Sequence, residues 1–149
     1  MKLTEIQEKW LAALESGAYG QTKNILFDGV DYCCLGVAAH VAGIVEEDAG
    51  AGCFVYPGDT PVEEAMYELL DEKHIGILGL RGESGELKNP VIIEKDYRVY
   101  DEAQNEFVLK REPYAVGALA DLNDNGWTFA QIAGFIRAYP EEVFVESEV

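Results

Sequence analysis

Apolar residues fall at helical spacing in several stretches of the chain and at alternate positions in others, and this pattern sets the expected elements. Thr4 followed by Gln7 is a capping-box signature. The helix it opens carries Ile6, Trp10, Leu11, Ala13 and Leu14 on one face and ends at Gly17. Residues 32–44, YCCLGVAAHVAGI, form the most apolar helix-length stretch. In it Cys33, Cys34, Val37, Ala38, Val41 and Ile44 make a stripe, and Gly43 is placed as a left-handed stop. Thr60-Pro61-Val62-Glu63 starts another helix, running to about residue 73. Val62, Ala65, Met66, Leu69 and Leu70 face inward there, and Glu63, Glu64, Glu68, Asp71 and Glu72 face outward. Residues 114–122 read as an amphipathic helix ending in NDNG. Thr128 opens the last helix, with Phe129, Ile132, Ala133 and Ile136 inward and Pro140 as its stop.

Two segments read as strands. Residues 22–32 predict a small hairpin, with Asp28-Gly29 as a type I′ turn, and residues 90–110 predict a second, turning at DEAQN between YRVY and EFVLK. Residues 46–59 read as an acidic, glycine-rich loop around CFVY. HIGILGLRGESGEL is compatible with helix or strand, and residues 141–149 with a last strand or a frayed end. No repeat or linker divides residues 1–149. The expected fold is α+β, a single compact domain of about five helices with two small antiparallel hairpins.

Composition adds one strong constraint. Acidic residues number 28 against 11 basic ones, a formal charge of −17. Phosphate backbones and anionic membranes need clustered cations, so neither nucleic acid nor membrane is an expected partner. A protein with a basic surface is. A chain of this size is about 38 Å across, and duplex DNA of that length carries roughly 22 phosphate charges, so the two are electrostatically comparable. Solubility alone also accounts for acidity. Three cysteines, two of them adjacent, make no disulfide framework, and no apolar run is long enough to span a bilayer. A cytoplasmic location is expected.

The candidate chemistry is sparse. Cys33 and Cys34 stand at a helix N-terminus, where the backbone dipole lowers a thiol pKa, but His40 lies seven residues on, about 10.5 Å along one helix and out of reach. His74 is the other available base. Buried, inert cysteine is the commoner role in an apolar helix. Cys33, Cys34, His40, Cys53 and His74 offer no paired zinc spacing, so no metal or cofactor is expected. Asp121-Leu-Asn123-Asp-Asn125-Gly126 imitates half of a calcium loop, yet the closing twelfth position is Ile132. A helix–turn–helix joint in which Asn and Asp side chains satisfy backbone groups is the favoured reading. The acidic side chains Glu46, Glu47, Asp48, Glu63, Glu64, Glu68, Asp71 and Glu72 form the best candidate partner surface. Asp96, Asp101, Glu102 and Glu106 form a second patch.

KWLAALESGAYGQ, DYCCLGVAAHVAG, GILGLRGESGEL and LADLNDNGWTFAQIAGFI, in this order, resemble a family of small tailed-phage and prophage proteins with no established activity. The resemblance implies a phage accessory role and names no catalytic residue. A Cys heading an apolar helix, followed by PGD and HIGI, is also similar to the NlpC/P60 cysteine peptidases. Here Cys33-Cys34-Leu35-Gly36 replaces Cys-Ser-Gly-Leu, and an acidic helix separates PGD from His74. The leading expectation is a non-enzymatic protein that binds a host protein, such as a defence protein, through its acidic surface, in one form by mimicking nucleic acid. The alternatives are a hydrolase or transferase using Cys33 or Cys34 with His74, and a small-ligand sequestering protein with a pocket near Trp127 and Tyr32. Oligomeric state is left open.

Overall fold

The structure is a computed structural model describing residues 1–28, 30–42 and 72–145. Helix α1 (Glu5–Glu15) begins where its local signals place it: the Thr4 hydroxyl accepts the Gln7 amide, and the Gln7 carboxamide oxygen accepts the Thr4 amide. It buries Trp10, Leu11 and Leu14, and the Gln7 Nε2 donates to the Leu78 carbonyl at 3.0 Å.

Helix α2 (Cys34–Val41) is the centre of the core. Its burial is not confined to the expected stripe, because every residue from Cys34 to Ala39 is buried. One residue makes this enclosure possible. A β-carbon on Gly36 would stand 1.8 Å from the Leu26 carbonyl oxygen, so helix and preceding loop touch backbone to backbone. From the other side the Trp10 indole nitrogen donates to the Cys34 carbonyl at 2.9 Å. Ile44 and Gly43 lie outside the described residues.

The segment leading into α2 corrects the first expected hairpin. Residues 22–32 form no two-stranded ladder, only isolated bridges from Tyr32 to Gln21 and to Phe27. The reason is that their backbone groups pair out of hairpin register: Tyr32 N–H with the Gly20 carbonyl, Thr22 N–H with the Tyr32 carbonyl, and Cys33 N–H with the Leu26 carbonyl. Asp28 still turns the chain, its carboxylate accepting the Val30 and Asp31 amides.

Helix α3 (Glu72–Leu78) carries HIGIL, which resolves that ambiguous stretch as helical, and Gly79 at φ +68° ends it. The second hairpin exists and is much longer than expected. Strands β1 (Glu86–Asp101) and β2 (Glu106–Ala118) pair antiparallel from Val91↔Val116 to Asp101↔Glu106, with a register shift between Glu86 and Val91. The helix expected over 114–122 is therefore largely strand. Tyr114 and Val116 pair with Ile93 and Val91, and only Leu119–Asp124 is helical (α4). Beyond its base the ribbon leaves the core, since no residue from 86 to 115 is buried.

Helix α5 (Phe129–Ala138) has its Thr128–Gln131 capping box and buries Phe129, Ile132, Ala133 and Ile136 as expected. Pro140 does not simply stop it. It opens a short helix, α6 (Pro140–Val143), after which Phe144 bridges Leu80 and stacks edge-on against Trp10. The described residues thus contain six helical segments and one two-stranded sheet, an α+β arrangement.

Asn123, fully buried in α4, ties these pieces together. Its Oδ1 accepts from the Cys34 amide (3.1 Å) and the Gln21 Nε2 (2.8 Å), and its Nδ2 donates to the Thr22 carbonyl (2.8 Å). An Asn123→Ala variant strands the buried Cys34 amide and removes the bonds to Gln21 and Thr22, so urea unfolding is expected to show a loss of about 2–3 kcal/mol. Asn125→Ala, which removes one of two donors to the Asp121 carbonyl at the rim and leaves the backbone one, should cost under about 1 kcal/mol.

Candidate functional site

The cysteine pair was the chain's most suggestive chemistry, and the fold determines what it can do. Cys33 is the N-cap of α2, its sulfur accepting the Gly36 amide at 3.4 Å, and the Cys34 thiol donates to the Leu119 carbonyl at 3.6 Å. Both sulfurs are thus engaged with backbone groups. Burial pushes the Cys33 thiol up to about 11 and that of Cys34 well above the usual thiol value, and the Asp124 carboxylate adds to both shifts. The helix N-terminus works in the opposite direction and loses. A nucleophilic cysteine needs the reverse balance.

His74 is buried within α3, the helix whose end is capped from α1, whereas the thiols pack toward α4. His40 belongs to an aromatic cluster at the outer end of α2, its ring 5.4 Å from Tyr19 and 5.6 Å from Tyr32, with Phe27 stacked on Tyr32. Trp127 contacts Phe135 at 6.1 Å. Among the described residues, neither Trp127 nor Tyr32 lines the two clefts described below.

A cleft of about 260 Å³ is bordered by Asn24, Cys33, Ser84, Asp121 and Asp124. Its polar groups are largely spent on the fold: Asp124 Oδ1 accepts the Asn24 amide at 2.9 Å, and the thiol beside it is protonated at neutral pH. A second cleft, of about 480 Å³, lies between Lys2, Gln7, Ile77, Gly79 and Val145, with no paired acid and base. Among the described residues, no group of three or more His, Cys, Asp or Glu side chains is placed to hold a metal ion.

The comparisons with known proteins bear on the whole fold more than on one site. A family model, described as a domain of unknown function (DUF8296), matches residues 1–140. The chain belongs to the DUF8296 family. No curated protein and no solved structure matches it. The DUF8296 match takes in α1 through the start of α6, and with them the ribbon and the Asn123 joint.

Of the expected partner surface, Glu63, Glu64, Glu68, Asp71, Glu46, Glu47 and Asp48 lie outside the described residues, and Glu72 is exposed at the start of α3. The second patch is not purely acidic. Asp96, Glu102 and Glu106 are exposed, but Arg111 faces Asp96 across the ladder, and Lys95, Arg98 and Lys110 are interleaved with them. No helix among the described residues is long and apolar enough to cross a membrane.

The raised thiol pKa has a consequence for stability. A neutral form favoured by the fold contributes fully below pH 9, the ordinary value, and is lost as pH rises to about 11, where the native thiol also ionises. Urea unfolding should show stability falling across that window by about 3 kcal/mol from Cys33, and Cys33→Ala should lessen the fall, with Cys34 still contributing. At pH 8, mass-mapped alkylation of Cys33 and Cys34 should need denaturant, since only about one native Cys33 thiol in a thousand is ionised there.

Proposed function

We propose that the protein is a non-enzymatic binding protein whose acidic body engages a basic surface of another protein, as a phage accessory factor acting on a host protein would. The observation that carries this reading is the uneven distribution of charge. Between residues 86 and 118 seven acidic side chains face five basic ones, while the rest of the chain holds 21 acidic against six basic. Several of those six cations are already engaged within the fold. Arg137 forks between Glu15 (2.7 Å) and Glu8 (3.0 Å), and Arg81 donates to the Glu141, Glu142 and Phe144 carbonyls. Glu5, Asp28, Asp121 and Glu141 are exposed around them.

Such a body suits a partner that otherwise binds phosphate, because a groove lined with Lys and Arg responds to charge density before shape. The phage role rests on the motif resemblance, and the binding mode rests on the charge. Buried, protonated thiols favour this reading over cysteine-based hydrolysis.

The test is salt and competition. With a captured partner purified and its Kd measured, raising salt from 50 to 500 mM should weaken binding at least tenfold, since surface charges are screened beyond about 8 Å at physiological salt. Duplex DNA should compete for the same site. Binding that is unchanged at 500 mM and indifferent to DNA would overturn the reading.

A further inference from the structure

Six of the large hydrophobic side chains that the fold leaves exposed lie on one element. Ile92, Val99, Tyr100, Phe107, Leu109 and Tyr114 are between 38 and 74% exposed, all on the β1–β2 ribbon. Two-stranded ribbons gain little stability alone in water, and an unpaired strand edge invites another strand. Among the described residues neither outer edge of this ribbon is paired. The two edges are unequal. β2 carries Pro113, which has no N–H to donate, whereas β1 has no proline from Val91 to Asp101. Among the described residues, the open edge is β1.

We propose that β1 pairs antiparallel with β1 of a second copy of this chain about a two-fold axis at Asp96, joining two ribbons into one four-stranded sheet. The sequence of the strand is self-complementary in that register. Glu94 falls opposite Arg98 of the second copy, Ile92 opposite Tyr100, Ile93 opposite Val99 and Lys95 opposite Tyr97, each pair occurring twice.

The cross-ribbon register then extends each pair into a row. On one face Val108 and Val99 continue into Ile93 and Tyr114 of the second copy. On the other, Leu109 and Arg98 continue into Glu94 and Pro113. The two Asp96 carboxylates are the one like-charged contact, and each has Arg111 on its other side. Lys95 already lies 4.6 Å above the Tyr114 ring, and Arg98 5.5 Å from that of Phe107, so both cations stand over aromatic faces in the single chain.

Charge decides where two copies can meet. Outside the ribbon the described residues hold 11 acidic against six basic side chains and repel their copies, whereas the ribbon, with seven against five, is nearly neutral. Antiparallel ribbons centred on Asp96 also point the bodies in opposite directions. Ile93, the outermost β1 residue packed against the core, lies three residues from the axis, so the bodies stand roughly 20 Å apart along the strands, still more than twice the screening length. This pairing is independent of the partner that the acidic body binds.

The full-length chain is expected to sediment, at micromolar concentration, at twice its mass of 16.4 kDa. Glu94→Arg and Arg98→Glu should each shift it to monomer with unchanged circular dichroism, and the double variant, which restores the pairs in swapped order, should recover the dimer. With Cys53→Ser in every chain, Asp96→Cys should cross-link two chains by a disulfide on mild oxidation, while Glu94→Cys and the Cys53→Ser chain alone should not. A monomer at 1 mM overturns the proposal. So does a dimer indifferent to both single reversals, a double variant that stays monomeric, or cross-linking through Tyr97→Cys in place of Asp96→Cys.

Discussion

One buried carboxamide holds the body of this protein together. Asn123 reaches from α4 to the first free amide of α2 and to both the side chain and the backbone of the loop that precedes it. Those groups come from distant parts of the sequence, and the Cys34 amide among them is buried from water, so the fold depends on their meeting at one point with donors and acceptors matched. A hydrophobic side chain would fill the same volume and leave the amide of Cys34 unpaired. The backbone contact at Gly36 belongs to the same arrangement, because only a loop held this firmly can run against a helix with no side chain between them.

This arrangement also determines the fate of the cysteines. A helix N-terminus is ordinarily a place where a thiol ionises easily. Here the amides at that end are used on Asn123 and on the Cys33 sulfur, burial excludes water, and the Asp124 carboxylate adds a negative charge. Desolvation and a negative neighbour outweigh the dipole. The chemistry that adjacent cysteines suggest is thereby converted into packing.

What could be read from the chain follows the distance over which each signal acts. Both capping boxes, Thr4 with Gln7 and Thr128 with Gln131, act within three residues, and both helices begin where those pairs place them. The inward face of α5 was legible for the same reason. The first hairpin was not, since Tyr32 exchanges hydrogen bonds with Gly20 and Thr22, beyond the turn that seemed to define it. In residues 114–118 the alternation of Tyr114, Val116 and Ala118 is too short to outweigh a helical reading until strand β1 is present to pair with. The LNDNG motif was visible as a joint, but its partners lie about a hundred residues away, and no local pattern names them.

Trp10 gives the molecule an intrinsic optical signature. Its indole is wholly enclosed and donates its one hydrogen to the Cys34 carbonyl, while Trp127 is only half-buried at the edge of α5. The two chromophores therefore report on different events: blue-shifted emission belongs to the docking of α1 on α2, and the redder component to the rim. Separation of the two helices would be seen as a change of colour in one of them before any change in overall size.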